Sequence, residues 1–224
     1  MGKAIAILVL LPITCWISLR YLAAQRQCQA VATLRSHGGQ VIYQNEADRM
    51  TGPFIPHPEY PGPRFLHPIL GVDFFDTIST VNIGPKFDMK KIAYLDHLVG
   101  LRNVCFVNNR IDVHQVTVCK FPQSLKMVSF TGRVIRDDNI TQLLKFKNLE
   151  SLIIWTERDA LSDRSVDTLL QLEKLKYLRI GDESNLSAAG FARLRKGLPH
   201  CEIEGKVYTP RKPGPKPILE LEIR

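Results

Sequence analysis

Six histidines and five cysteines are the residues of this 224-residue chain best suited to metal or nucleophilic chemistry. None of His37, His57, His67, His97, His114 and His200 pairs with another His, a Cys or a carboxylate at a metal-binding helical spacing such as HExxH. The cysteines are odd in number and form no CxxC pair, which argues against a cysteine-ligated zinc module and a disulfide-built mini-protein. Phosphate-cradling GxGxxG and GxxxxGK[ST] loops and the GxSxG nucleophile turn are absent from the sequence. Asp96-His97 has the composition of a dyad, but it falls where one repeat passes into the next, and a solvated pair is expected there. Asp73 and Asp76 read as surface carboxylates of a capping region rather than an acid/base pair. Cys119 and Cys201 fall on core positions and Cys105 on the opposite face of a strand, so structural thiols are expected. The expectation is a protein that is not an enzyme and needs no cofactor or metal.

The elements that position these residues follow from apolar spacing. Val81-x-Ile83, Val104-x-Phe106, Val128-x-Phe130, Leu152-x-Ile154, Leu178-x-Ile180 and Cys201-x-Ile203 recur at intervals of 23, 24, 24, 26 and 23 residues. Period-2 alternation predicts a short strand at each, with one apolar face. Leu101, Leu125, Leu149, Leu175 and Leu198 stand three residues before most pairs. Between the pairs lies a second pattern: Phe87-Ile92-Leu95, Ile111-Val116-Cys119, Ile135-Ile140-Leu143, Leu161-Val166-Leu169 and Leu186-Phe191-Leu194. Its i, i+3 pairs give one apolar stripe on a helical or 3₁₀ stretch. Asp137-Asp138, Ser162-Asp163 and Ser187 supply helix-start chemistry. No unit is large enough to bury its own stripe, so neighbours must stack on one continuous core.

Residues 74–205 therefore resemble leucine-rich repeats, specifically short bacterial repeat proteins with an N-terminal membrane anchor. Leu161-Ser-Asp-Arg-Ser-Val166-Asp-Thr-Leu169 matches one repeat form of that group, and Leu198-Pro-His-Cys201-Glu-Ile203 its terminal motif. Ala30-Val31-x-x-Leu34, Gly38-Gly39, Val41-x-Tyr43, Pro61-Gly62-Pro63 and Leu70-Gly71-x-Asp73-Phe74 resemble its pre-array segment. The resemblance implies an α/β fold: a leucine-rich-repeat solenoid of short parallel strands with helical returns, of about five repeats, carrying an N-terminal apolar helix. The sequence departs from the family in its turns. The bridging Asn after the strand is present only at Asn109, with Arg133, Glu157 and Glu183 in its place elsewhere, so those turns must satisfy their backbone differently.

Residues 1–26 form the N-terminal segment. Ala4 to Leu19 is sixteen residues without a charge, about 24 Å as a helix, against a hydrocarbon core of about 30 Å. Tyr21 to Ala24 extend it if Arg20 snorkels, giving a membrane contact over residues 4–24. A single-pass anchor is the favoured reading; a cleaved signal peptide, with a poor small-x-small site, and a buried soluble helix are the alternatives. Lys3 alone before the segment and Arg20, Arg26 and Arg35 after it leave the side of the membrane open. Residues 27–73 divide into a helix to about residue 37 closed by Gly38-Gly39, a capping strand at Val41-Tyr43, and a proline-rich loop over 45–63. Residues 206–224 form a basic, proline-rich tail.

The net charge of +8 is concentrated at the ends. Lys3, Arg20 and Arg26 give +3, the tail residues Lys206, Arg211, Lys212 and Lys216 give +4, and residues 218–224 give −1, leaving +2 for residues 27–205. That distribution favours a membrane surface over nucleic acid. Strand residues facing away from the core should bring Met127, Ile153, Trp155, Tyr177 and Arg179 into one aromatic patch of hot-spot composition. The favoured function is a non-catalytic interaction module binding a protein or peptide on its concave face. Coverage of this patch by the chain's own flanks is the alternative reading of Trp155, and nucleic-acid or anionic-surface binding by the tail is the alternative function.

Overall fold

The alternation of apolar residues at every second position produces seven short strands in a single sheet. The computed structural model describes residues 2–51, 61–107, 116, 119–121, 123–132, 135–155, 160–181 and 184–207, and the side chains among these except at 2–11 and 48–51. The strands are β1 (Gly39–Tyr43), β2 (Ile78–Ile83), β3 (Asn103–Phe106), β4 (Met127–Thr131), β5 (Ser151–Trp155), β6 (Tyr177–Ile180) and β7 (Glu202–Glu204). They lie side by side in chain order. β1 pairs antiparallel with β2, and every later pair is parallel. The fold is α/β with a mostly parallel seven-stranded sheet.

Register aligns the predicted apolar pairs. Val81, Val104, Val128, Leu152 and Leu178 share one level, and Ile83, Phe106, Phe130, Ile154 and Ile180 the next, all buried. Phe106 and Phe130 stack with centroids 5.1 Å apart and rings 7° from parallel. The last pair departs from expectation: Leu178 partners Ile203, not Cys201. Cys201 instead sits half-buried in the turn before β7, and Gly205 occupies the level beyond Ile203, against the Phe191 ring.

The returning segments cover the core from the other side. Met89–His97 and Ile140–Lys145 are 3₁₀ helices, and Asp163–Ser165 is a 3₁₀ turn continuing into the helix Val166–Leu169. Three residues per turn eclipses positions i and i+3. Ile92 with Leu95 and Ile140 with Leu143 therefore point together into the core, where all four are buried. The last return, Ala188–Gly197, is a ten-residue α-helix capped by Ser187, whose Oγ accepts from Gly190 N at 3.1 Å. Ile111 of the second pattern, the expected bridging positions Asn109, Arg133, Glu157 and Glu183, and tail residues 208–224 lie outside the described residues.

The first parallel strand is covered by the chain's own N-terminal part. Helix α1 runs from Gly2 to Ser36, ends at Gly38 in the left-handed region (φ +87°), and leads directly into β1. Ala30, Val31 and Leu34 on α1 and Val41 and Tyr43 on β1 join the main core. Two corrections arise here. The segment after β1, expected as loop, begins with a helix, α2 (Gln44–Thr51). Asp76, expected on the surface, is buried, accepting from Thr77 N at 2.8 Å and Asn45 N at 3.4 Å. Asp73 accepts from Gln27 Nε2 at 2.9 Å and Tyr43 Oη at 3.1 Å. These carboxylates tie α1 and β1 to the approach to β2.

Beyond Gln27, toward its N-terminus, α1 remains docked only as far as Arg20, whose Nε donates to Phe74 O at 2.9 Å. Ala24 is buried, whereas Tyr21 and Leu22 are exposed. Pro12 to Leu19 are exposed. Among the described residues no helix is long and apolar enough to cross a membrane.

Aspartates at the start of two returns join successive units. Asp137 accepts from Ser162 N at 2.9 Å, Ser162 Oγ at 2.6 Å and Ser165 Oγ, all one return later in the chain. Asp163 repeats the device with Ser187 N at 2.9 Å and Ser187 Oγ at 2.6 Å. Gly190 is required beside it, because a Cβ there would lie 2.2 Å from Asp163 Oδ1. Burial alone would raise the Asp137 carboxyl, but the Ser162 and Ser165 hydrogen bonds outweigh it and hold the group below its ordinary value of 3.8. A depressed folded-state pKa contributes stability that is fully present above the unfolded value and is lost as pH falls through the folded one. Asp137→Ala is expected to cost about 1–3 kcal/mol at neutral pH. In urea unfolding, the advantage of the native protein over Asp137→Asn should shrink as pH falls below about 4. A pH-independent difference between them would contradict the assigned role.

Candidate functional site

Every strand that buries one row of side chains presents the alternate row on the opposite face, and that face holds the predicted patch. Met127, Ser151 and Tyr177 share one level, Ser129, Ile153 and Arg179 the next, and Thr131 partners Trp155. Met127, Ile153, Tyr177 and Arg179 are half-buried, whereas Trp155 is 37% exposed. All five predicted residues thus lie on one face of three adjacent strands.

The geometry at the centre is a cation–π stack. Arg179 Cζ lies 4.6 Å from the centroid of the Trp155 ring. The ring also rests against the backbone at Gly181, where a Cβ would approach Trp155 Cε3 to 3.1 Å. Arg179 Nη1 is held 3.5 Å from Glu204 Oε2, the same carboxylate oxygen that accepts from Tyr177 Oη at 2.8 Å. Through that hydrogen bond the carboxylate pushes the Tyr177 phenol above its ordinary pKa. Glu204 thus fixes both flanking side chains, a role absent from the sequence-based assignment. Its signal was available, since Glu202 and Glu204 alternate with Ile203 and must fall on the face of Tyr177 and Arg179.

Across β2 to β4 the same face changes character. Asn103 Nδ2 donates to Thr80 Oγ1 at 3.1 Å, and Asn82, Cys105 and Ser129 complete a run of small polar and thiol groups. The face is polar beside β2 and aromatic beside β6, with Met127 and Ile153 between. Burial raises the Cys105 thiol above its ordinary pKa. Burial, then Asp96, pushes Cys119 up to about 12, so neither position favours a thiolate. Asp96 is turned away from dyad chemistry, accepting from Phe121 N at 3.0 Å and Lys120 N at 3.3 Å, while exposed His97 lies edge-on to Tyr94. Among the described residues no group of histidines, cysteines and carboxylates is placed to hold a metal ion.

A cavity of about 380 Å³ lies off this face, at the ends where the parallel strands begin, beside the contacting rings of Phe121 and Phe146. Its polar lining is dominated by lysines. No protein-family model matches the chain, and no curated protein is significantly similar to it.

Because Trp155 is 37% exposed and, among the described residues, rests on Arg179 and Gly181 outside the core, Trp155→Ala should cost no more than about 2 kcal/mol. A buried aromatic would cost about 3–5 kcal/mol. Denaturant unfolding of the two proteins distinguishes these outcomes, and the larger value would identify Trp155 as core.

Proposed function

We propose that this chain is a membrane-tethered leucine-rich-repeat module that binds a protein or peptide on the concave, open face of its sheet and performs no catalysis. The repeat reading is supported by one strand per 23–26 residues, neighbours pairing in chain order, and a common register for the repeated apolar positions. The observation that carries the binding role is the Trp155–Arg179 stack, solvent-accessible and held in place by Glu204. Large aromatic and guanidinium groups pre-set by neighbours bind with little loss of side-chain entropy, which is the composition of interface hot spots. The tether is the uncharged run from Ala4 to Leu19.

Affinity capture with the full chain as bait, followed by titration of the recovered partner, tests the reading. Trp155→Ala and Arg179→Ala should each weaken that partner by at least about 2 kcal/mol, or roughly thirtyfold. Truncation after Gly205 should leave the affinity unchanged. Loss of binding on that truncation, with affinity collapsing steeply in salt, would transfer the function to the basic tail. Retention of the full chain in the membrane pellet after alkaline carbonate extraction is expected from the tether; release into the supernatant would remove it.

A further inference from the structure

The route of α1 decides which end of the sheet the apolar segment leaves from. β1 is antiparallel to β2, and α1 enters β1 through the tight turn at Gly38, so α1 runs alongside the parallel strands in their own direction. Its last turns therefore lie at the C-terminal ends of those strands. Gln27, seven residues after Arg20 in the chain, bonds to Asp76 O, two residues before β2. Those seven residues carry the helix about 10 Å further. The exposed, uncharged stretch ending at Leu19 thus emerges from the rim formed by the N-terminal ends of the parallel strands.

That rim has a distinctive surface. Val99, in the turn before β3, is 71% exposed, and Phe65 and Ile69, on the segment that leads to Phe74, are 74% and 71% exposed. Phe74 is the residue whose carbonyl holds Arg20, so the segment carrying Phe65 and Ile69 leads to the point where the helix leaves the domain. Further along the rim is the cavity of about 380 Å³, walled by Phe121 and Phe146 with centroids 5.2 Å apart. Lys120, Lys145, Lys147 and Lys174 line it, and among the described residues no carboxylate does. Lys174 Nζ is oriented by Asn148 Oδ1 at 2.7 Å. Of the carboxylates described near this rim, Glu150 is paired with Lys126 and Lys176, and Asp96 accepts from the backbone of Lys120 and Phe121.

We propose that this N-terminal rim is a membrane-facing surface, with Phe65, Ile69 and Val99 at the lipid interface and the Phe121–Phe146 lysine cavity seating anionic phospholipid headgroups. The proposal rests on the tether described above. Continuity of α1 from the exposed segment into the domain leaves no linker to hold the rim away from the bilayer. The span of about 24 Å is also shorter than a hydrocarbon core of about 30 Å, and such mismatch draws headgroups toward the residues that flank the helix. Lysines with aromatic neighbours at that level are attracted by anionic lipid, and exposed apolar side chains partition into the interface.

The test is hydrogen–deuterium exchange of the full chain in vesicles of phosphatidylcholine, with and without phosphatidylglycerol, with carbonate extraction run in parallel. Amides of 120–125 and 145–149 should exchange more slowly in the phosphatidylglycerol vesicles, while β4 and β5 are unaffected. One lysine near an anionic surface is worth about fivefold in partitioning, so Lys120→Gln/Lys147→Gln/Lys174→Gln should lower the docked-to-undocked ratio about a hundredfold. That variant should return the two segments to their neutral-vesicle rates without changing the melting temperature. Val99→Ser/Phe65→Ser should weaken protection independently. A chain retained after carbonate but showing no lipid-dependent protection overturns the rim proposal and leaves the tether standing. Release by carbonate, with phosphatidylglycerol protection intact and reversed by salt, removes the tether and supports the rim. Release with no protection overturns both. Protection by a soluble acidic peptide on neutral vesicles, with none from phosphatidylglycerol, also overturns the proposal.

Discussion

No segment of this chain can bury its apolar side chains alone, and everything else follows from that insufficiency. A strand of four to six residues with one buried row needs a neighbour at each edge and a layer above it. The parallel pairing supplies the edges, and the i, i+3 residues of the return segments supply the layer. Register is then fixed, because a slip by one residue would exchange Val128 and Phe130 for Met127 and Ser129 in the core. A shared register also allows identical positions to stack, as Phe106 and Phe130 do. The two ends face the same demand with different means. At β2 the cover is large, combining α1, an antiparallel strand and two buried or half-buried carboxylates that bind them. At β7 the strand is three residues long and carries Glu202 and Glu204, which discourage a further strand from adding to that edge.

The aspartate bridges solve a problem that apolar packing cannot. Each strand must turn sharply into its return, leaving backbone N–H groups near the core without partners. A carboxylate has more acceptor capacity than an amide, and Asp137 uses it on one N–H and two hydroxyl groups of the following unit. Because donor and acceptor lie about one repeat apart, these bonds join successive units in the direction in which the core is continuous. Asp96 serves an earlier junction in the same manner, toward the backbone of Lys120 and Phe121. Asp96, expected as half of a solvated pair, is therefore one of the fastenings between units, while His97 is exposed.

How far the sequence was legible depends on whether a residue's role is set by periodicity or by distant parts of the chain. Val81 through Leu178 could be placed because alternation and spacing are local and repeated five times. Trp155, Ile153, Tyr177, Met127 and Arg179 could be placed on one face for the same reason, since the face is the complement of the core. Cys201 was placed at the level that Ile203 occupies because the interval from Leu178 to Ile203 is 25 residues, and a period alone does not decide which of two apolar residues two apart takes the level. Asp76 was misread because its burial is imposed by α2 and by the backbone of Asn45, neither of which the proline-rich composition of that region announces. The hydrogen bond of Arg20 was not legible for a related reason: only the fold brings Phe74 O to it. The lysine cavity was missed because its members come from three different turns with no common motif.

The fusion of α1 to the domain links the two proposed surfaces. A flexible linker would let the sheet sample every orientation, and neither face would have a preferred direction. Here Arg20, Ala24, Gln27, Ala30, Val31 and Leu34 dock the helix from Arg20 to Leu34, so the direction in which it leaves the domain is fixed relative to the strands. Since α1 runs in the direction of the parallel strands, a membrane at its N-terminal end places those strands on end above the bilayer. The face bearing Trp155 and Arg179 then looks sideways along the membrane plane instead of into it or away from it. A partner reaching that face would most readily be one held near the same surface. Confinement to a shared surface raises effective concentration, so such an encounter requires only a small patch of aromatic and charged groups, which is the size of the site that Glu204 organises.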